Sequence, residues 1–307
     1  MRVLVTGATG FLGRSLIAAL RRRGDEVVAL SRDIAAARQS LPDGVTAATW
    51  SRAGDYVAHA DALVNLAGES VGGRWTAAKM HAIRESRMQA TRALTDAIVA
   101  APKKPRVLVS TSAIGVYGET FEETDESAPA GRDFLAQVCV DWEAEADRAV
   151  RTGVRVAKLR VGLVLGRGGV LERLLPLFRA GLGGPIGSGR QWWSWVHVDD
   201  VVAAYCAALD DARFEGPVNV VAPNPVTQRE FARTLGEVVR RPAVLPTPAF
   251  ALRVALGDGA GPILTGQRVV PRRALALGFQ FVHPVLREAL EHAISRTSAT
   301  DEVRDRE

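Results

Sequence analysis

Seven residues near the start of the chain, Gly7-Ala8-Thr9-Gly10-Phe11-Leu12-Gly13, have the types and spacing to hold a phosphate. Glycine at 7 permits the positive φ of a tight turn, Gly10 lets backbone approach an anion, and Gly13 lets a helix pack closely on a strand. An apolar run, Val3 to Val5, leads into this turn and an amphipathic pattern follows it. The helix N-terminus would then aim unpaired N–H groups and its positive dipole end at the anion, with Thr9, Phe11 and Leu12 framing the turn. A second strand pattern, Glu26 to Leu30, runs into Ser31-Arg32-Asp33. A protein that binds NAD places an acid at this point for the ribose 2′-hydroxyl. Here Ser31 and Arg32 offer a hydroxyl and a guanidinium that suit a 2′-phosphate, which favours NADP(H). The alternative is a solvated Arg32 with Asp33 on the ribose.

The elements that must position these residues are legible as pattern. Apolar runs recur at Ala62 to Ala67, Arg106 to Ser112, Val154 to Leu165 and Val218 to Val221, with helical patterns at Thr76 to Ala101 and Phe134 to Thr152 between them. Such alternation predicts an α/β fold with a doubly wound parallel sheet, whose ligand lies at the carboxyl ends of the strands. The residues expected to converge there are Leu66-Ala67-Gly68-Glu69, Ser110-Thr111-Ser112 and Arg160-Val161-Gly162. Glu69 either faces the ligand or bonds the backbone of the Ser70 to Gly73 loop.

The glycine-rich stretch Gly181 to Gly189 reads as a connection between lobes. Expected domains are therefore a nucleotide-binding unit over 1–222, with 166–195 contributing to a substrate lobe, a small α+β C-terminal domain over 223–295, and a flexible tail over 296–307.

Composition excludes several classes. Of 307 residues, 47% are hydrophobic and 24% charged, a globular balance with chain enough for one large domain and a smaller one. The net charge is +5, but the 39 basic residues are dispersed and show no basic run interleaved with aromatics, so no nucleic-acid partner is expected. Arg21-Arg22-Arg23 closes the first helix, where cations complement the dipole. No apolar run approaches the roughly 18 residues of a membrane span, and a strand beginning near residue 2 leaves no room for a signal peptide. The expectation is a cytoplasmic protein with no membrane partner. Cys139 and Cys206 form no disulfide or metal pattern and are expected to be reduced and packed.

Taken together, GATGFLG, Asn65-Leu66-Ala67-Gly68, Ser110-Thr111-Ser112 before Val116-Tyr117-Gly118, and Trp195-Val196-His197-Val198-Asp199-Asp200 resemble the extended short-chain dehydrogenase/reductases. Finer features look like an atypical subgroup of epimerase-family proteins. These are Glu69, Arg74-Trp75-Thr76 with Ser86-Arg87, and Gly181 to Gly189 before Gln191-Trp192-Trp193-Ser194-Trp195.

The resemblance implies a Rossmann fold, bound NADP(H), a subgroup-specific C-terminal domain and an unassigned small-molecule substrate of polar carbonyl, alcohol or sugar-like type. It also implies Ser31 and Arg32 on the 2′-phosphate, Leu66-Ala67 along the adenosine, Arg87 near cofactor phosphate or ribose, and Leu163 near the nicotinamide. A homodimer through helices Thr76 to Ala101 and Phe134 to Thr152 is a further implication.

The chain departs from this family at the catalytic pair, a Tyr and a Lys four residues later on the helix that begins near Phe134. Aligning Glu143 with the family's following glutamate puts Leu135 and Cys139 at those positions. Leucine has no proton to give as hydride moves, and a thiol on an apolar helix face reads as core. Ser112 stands where the family's substrate-binding hydroxyl belongs, and Tyr117 is the one tyrosine near a strand end, so both are candidate catalytic residues beside structural alternatives. Tyr56 and Tyr205 read as packing. Trp192, Trp193 and Trp195 either wall a pocket or fill core. His197 with Asp199 and Asp200 reads as a strand giving way to a helix capped by an Asp, and no metal is expected. Two functions remain: an NADP(H)-dependent epimerase-like oxidoreductase, or a non-catalytic NADP(H)-binding sensor.

Overall fold

Strand β1 (Arg2–Thr6) buries both faces, with Val3 and Val5 entering one core and Leu4 the other. This explains why its sequence is a continuous apolar run. In the computed structural model, which describes residues 1–166 and 168–304, the chain continues through α1 (Phe11–Arg22), β2 (Glu26–Ser31), α2 (Ile34–Ser40), β3 (Thr46–Thr49), α3 (Ala53–Val57) and β4 (Ala62–Asn65). Next come α4 (Ala77–Ala100), β5 (Val107–Ala113), β6 (Thr120–Thr124), α5 (Phe134–Asp147), β7 (Arg155–Val161) and β8 (Leu163–Leu165). Then follow α6 (Gly169–Arg179), β9 (Trp192–Trp193), β10 (Trp195–His197), α7 (Val198–Asp210), β11 (Gly216–Val220), β12 (Val226–Thr227) and α8 (Gln228–Val238). The last elements are α9 (Ala249–Leu256), α10 (Gly261–Leu264), β13 (Gln267–Val269), α11 (Arg272–Ala276) and α12 (Leu286–Arg304).

Seven strands form one parallel sheet in the order β11-β7-β5-β4-β1-β2-β3. Helices α1 and α7 cover one face through Leu16, Ile17, Leu20, Val201 and Ala204. On the other face, α3, α4 and α5 supply Val57, Leu94, Ile98 and Ala146. The strand order reverses between β1 and β4, and such a reversal opens a ligand crevice at the strands' carboxyl ends.

A second core joins Leu171, Leu175 and Phe178 of α6 with Trp193, Trp195, Phe231 of α8 and Leu290 of α12. Short strand pairs lie in and beside this lobe: β10 with β8, β12 with β9, and β13 with β6. Among the described residues, no helix is long and apolar enough to cross a membrane.

Two expectations need correction. The apolar run Val154 to Leu165 is not one strand. It divides at Gly162, where a Cβ would lie 2.5 Å from the Ser194 carbonyl oxygen and 2.6 Å from Val221. Beyond this crossing, β8 leaves the large sheet and pairs with β10. The pattern Phe134 to Thr152 is an α-helix only to Asp147, and a 3-10 turn carries it to Thr152. Of the expected tail, residues to 304 continue α12 as backbone, and 305–307 lie outside the described residues.

Candidate functional site

Gly7 leaves β1 with φ +65° and passes so close to the end of β4 that a Cβ would sit 2.6 Å from the Leu66 carbonyl carbon. Gly10 is the extended N-cap residue of α1, and its N–H donates to the Gly7 carbonyl at 3.1 Å. Gly13 presses on the turn itself rather than on the strand: a Cβ there would lie 2.6 Å from the Ala8 carbonyl oxygen and nearer still to that of Gly7. No side chain caps α1, so its first N–H groups have no side-chain partner. Phe11 and Leu12 are the first residues of α1. The Phe11 ring packs beneath Gly168 and Leu12 joins the sheet core, while the Thr9 carbonyl accepts from Arg14 at 2.9 Å.

A buried polar chain locks the turn to β4. Thr6 Oγ1 donates to Asn65 Oδ1 at 2.7 Å, Asn65 Nδ2 to Thr91 Oγ1 at 2.8 Å, and Trp142 Nε1 to the same hydroxyl at 2.9 Å. The only sequence signal for this chain was a polar Asn ending an apolar strand.

At the end of β2, the Ser31 hydroxyl donates to the Asp33 carbonyl at 2.8 Å, and Asp33 Oδ1 accepts from Ala36 N at 3.0 Å as the N-cap of α2. Arg32 between them is exposed.

Gly68, Glu69 and Arg87 form the facing wall. Glu69 pairs with Lys79 at 2.6 Å, which holds its carboxyl below the ordinary range, and the positive charges of Arg32 and Arg87 act in the same direction. Arg87, expected at the cofactor, packs its guanidinium under Gly68 and donates to the carbonyls of Glu69 and Ile83 at 3.0 and 2.8 Å. It also lies over the Trp142 ring at 5.0 Å. Its observed bonds hold the β4–α4 loop, and burial lowers its pKa. The same loop is clasped by the second lobe: Trp75 N donates to the Leu256 carbonyl at 3.0 Å and Arg74 to that of Val254 at 2.6 Å.

At the end of β5 and in the turn that follows it, the candidate catalytic hydroxyls enter a second buried network. Ser112 Oγ donates to Glu143 Oε1 at 2.7 Å. Arg160 grips both oxygens of that carboxylate, Nε to Oε1 at 2.8 Å and Nη2 to Oε2 at 2.9 Å, with side chains 11 and 10% exposed. Its Nη1 donates to the Tyr117 hydroxyl at 2.9 Å, which in turn donates to Asn219 Oδ1 at 2.8 Å. Arg160 was expected at the cofactor, yet these bonds commit its guanidinium to Glu143 and Tyr117. Burial raises the pKa of the Tyr117 phenol.

Ser110 is buried in β5 with a hydroxyl that has no partner among the described residues. Leu163 lies on β8, paired with Trp195. Tyr205 is buried in α7 and bonds Thr111, as expected of packing. Trp195 is fully buried, Trp193 packs edge-on to Phe231, and Trp192 carries Arg268 over its ring at 4.7 Å. The α7 cap is His197, whose Nδ1 accepts from Asp199 N at 3.1 Å, rather than an Asp. Asp200 instead accepts from the backbone of Val282 and His283.

With this geometry in place, residues 3–221 match the NAD dependent epimerase/dehydratase family. The chain belongs to that family. Residues 247–293 match a domain of unknown function, DUF1731. The chloroplastic epimerase family protein SDR39U1 homolog of Arabidopsis thaliana is 43% identical over 298 residues, 94% of this chain and 86% of that protein. Epimerase family protein SDR39U1 of Homo sapiens is 38% identical, covering 96% of this chain and all of that one. The crystal structure of human SDR39U1 isoform 2 with NADPH superposes with a TM-score of 0.85 at 37% identity, covering 95% of this chain and 99% of that one. A Bacillus cereus UDP-glucuronic acid 4-epimerase, at 18% identity and TM-score 0.78, shares the fold.

Within this family member, α5 carries Leu135 and Cys139. Leu135 is half-buried near Gly115, and Cys139 is buried beside Ile114, Val116 and Tyr117, its thiol pushed up to about 11 by burial. Leucine has no ionisable proton, and burial makes the Cys139 thiol a weaker acid than a free one.

Proposed function

We propose that this epimerase-family chain binds NADP(H) and acts as an oxidoreductase on a small polar carbonyl, alcohol or sugar-like substrate. The observation that carries the cofactor choice is the division of labour after β2. Asp33, the acid that follows β2, is used as the α2 N-cap, while Arg32 is exposed between it and Ser31. A guanidinium so placed suits a phosphate better than a hydroxyl pair. The NADPH bound to the human relative agrees with this reading.

A second reading, a non-catalytic NADP(H)-responsive protein, draws on a different observation. Ser112 and Tyr117 are both buried and both hydroxyls are hydrogen-bonded within the protein, while the cofactor-side loop at Glu69 is clasped at Trp75 to the second lobe.

Titration with NADPH and NADH tests the first step. NADPH should bind more tightly, and Arg32→Ala should weaken it by about 10- to 100-fold, the equivalent of one charged hydrogen bond, leaving NADH unchanged. Equal affinities, or an Arg32 variant that behaves as wild type, would overturn the assignment. Tyr117→Phe then separates the readings: turnover of a carbonyl substrate lost with NADPH affinity intact supports the oxidoreductase with Tyr117 as its proton donor.

A further inference from the structure

Three of the five histidines in the chain come together, His197 from one stretch of sequence and His283 and His292 from another much later. His197 ends β10, His283 lies in the loop before α12, and His292 is on α12. With Asp199 on the first turn of α7, their ligand atoms all lie within 4.8 Å of one another. His197 Nε2 is 3.2 Å from His292 Nδ1. Asp199 Oδ2 is 3.9 Å from His283 Nε2 and 3.9 Å from His292 Nδ1. The imidazoles crowd together, with ring centroids 4.0, 4.5 and 4.9 Å apart. His197 is fully buried, and the side chains of His283, His292 and Asp199 are 15, 38 and 41% exposed, so the cluster opens on one side to solvent.

We propose that His197, His283, His292 and Asp199 bind a divalent transition metal of the zinc class. A tetrahedral ion with bonds of about 2.0–2.2 Å holds its donors roughly 3.3–3.6 Å apart; three of the donor pairs here are 3.2 to 3.9 Å apart, and all lie within 4.8 Å. Three imidazoles and one carboxylate are a borderline donor set that suits such an ion over Mg2+ or Ca2+. Two of the donors are held in place before any ion arrives. The buried Asp200 accepts from Val282 N at 2.7 Å and His283 N at 3.1 Å, fixing the loop that carries His283, and β10 pairs with β8 to fix His197. While His197 Nδ1 accepts from Asp199 N, the ring proton is on Nε2, directed at His292. Coordination at Nε2 moves that proton to Nδ1, toward the Asp199 carboxylate, in place of the backbone bond. The ion would thus fasten α12 to the β10–α7 junction, a structural role that does not depend on the cofactor or substrate assigned above. The cluster is not legible as a local pattern because His197 and Asp199 lie in one stretch of the chain and His283 and His292 in another.

The test uses the full chain, stripped with a chelator and titrated with Zn2+ by calorimetry and with Co2+ by visible absorption. One equivalent should bind, with the intense absorption of tetrahedral Co2+ and a raised melting temperature. His283→Ala and His292→Ala should each weaken binding by at least the roughly 10- to 100-fold that loss of a metal's outer partner costs. His81→Ala, at an exposed position on α4, should leave it unchanged. NADPH affinity, read on every variant, reports that the fold is intact. Absence of saturable Zn2+ binding to the wild-type chain would overturn the proposal, as would undiminished binding in the His283→Ala/His292→Ala double variant.

Discussion

Replacing Glu143 by Leu should be among the most damaging single changes in the sheet domain. It leaves the Arg160 guanidinium, 11% exposed, with the Tyr117 hydroxyl in place of a carboxylate gripped at both oxygens. Removing one partner of a buried ion pair costs about 3–5 kcal/mol, because the remaining charge stays desolvated. Ser112 loses its acceptor in the same step. An unfolding entropy of about 2.1 cal/mol/K per residue gives roughly 0.6 kcal/mol/K for a chain of 307 residues, so Tm should fall by about 5–8 °C. The double variant Glu143→Leu/Arg160→Met removes both charges and should recover most of the loss, since paired replacement by apolar groups of similar volume is close to neutral. Calorimetric melting of the wild type, both single variants and the double variant, with NADPH affinity measured on each, checks this. A single-variant loss below about 1 kcal/mol, or a double variant as unstable as Glu143→Leu, would refute the reasoning. If NADPH affinity in the double variant fell tenfold or more while stability recovered, Arg160 would be a cofactor residue after all.

Two further outcomes are expected. Gly13→Ala should cost about 1–3 kcal/mol or more and weaken NADPH, because its Cβ would lie 2.6 Å from the Ala8 carbonyl oxygen, whereas Gly54→Ala, with open space around it on α3, should stabilise by about 0.5–1 kcal/mol; denaturant melts of the pair decide. Burial raises the Cys139 thiol from 9.0 to about 11, so its contribution to stability is fully present below 9 and is lost as pH rises toward 11; a thiol reagent at neutral pH should label Cys139 only on unfolding, and rapid native labelling would contradict its burial.

The sequence makes legible whatever is encoded over a few neighbouring residues. The turn Gly7 to Gly13, the strands at Val3 to Val5 and Glu26 to Leu30, and the long helix through Arg87 are local patterns, and each is found where it was expected. Arg87 and Arg160 show the limit. Their charge is plain in the sequence, but the Glu69 carbonyl and the Glu143 carboxylate that engage them are set by the packing of α4 and α5 on the sheet. Strand β3 went unread because Thr46–Thr49 is a short, half-exposed edge of Thr and Ala with little hydrophobic signal. The break at Gly162 was hidden for the opposite reason: apolar residues continue on both sides, and only the approach of Ser194 shows that the chain changes sheets. The His197 cluster was out of reach, since its members come from three segments.

The pairing of β6 with β13 has a consequence for how the chain is made. Thr120 opens β6, and its partner Gln267 emerges from the ribosome almost 150 residues later. At about 5–20 residues per second this is roughly 7–30 s, during which the nascent sheet domain carries an unpaired strand edge with Phe121 exposed beside it. The glycine turn and its supporting strands β1, β2, β4 and β5 are complete much earlier, by residue 113. Synthesis therefore delivers the glycine turn and its sheet long before the strand that pairs with β6, and a transcript truncated ahead of residue 267 would release a chain with β6 unpaired.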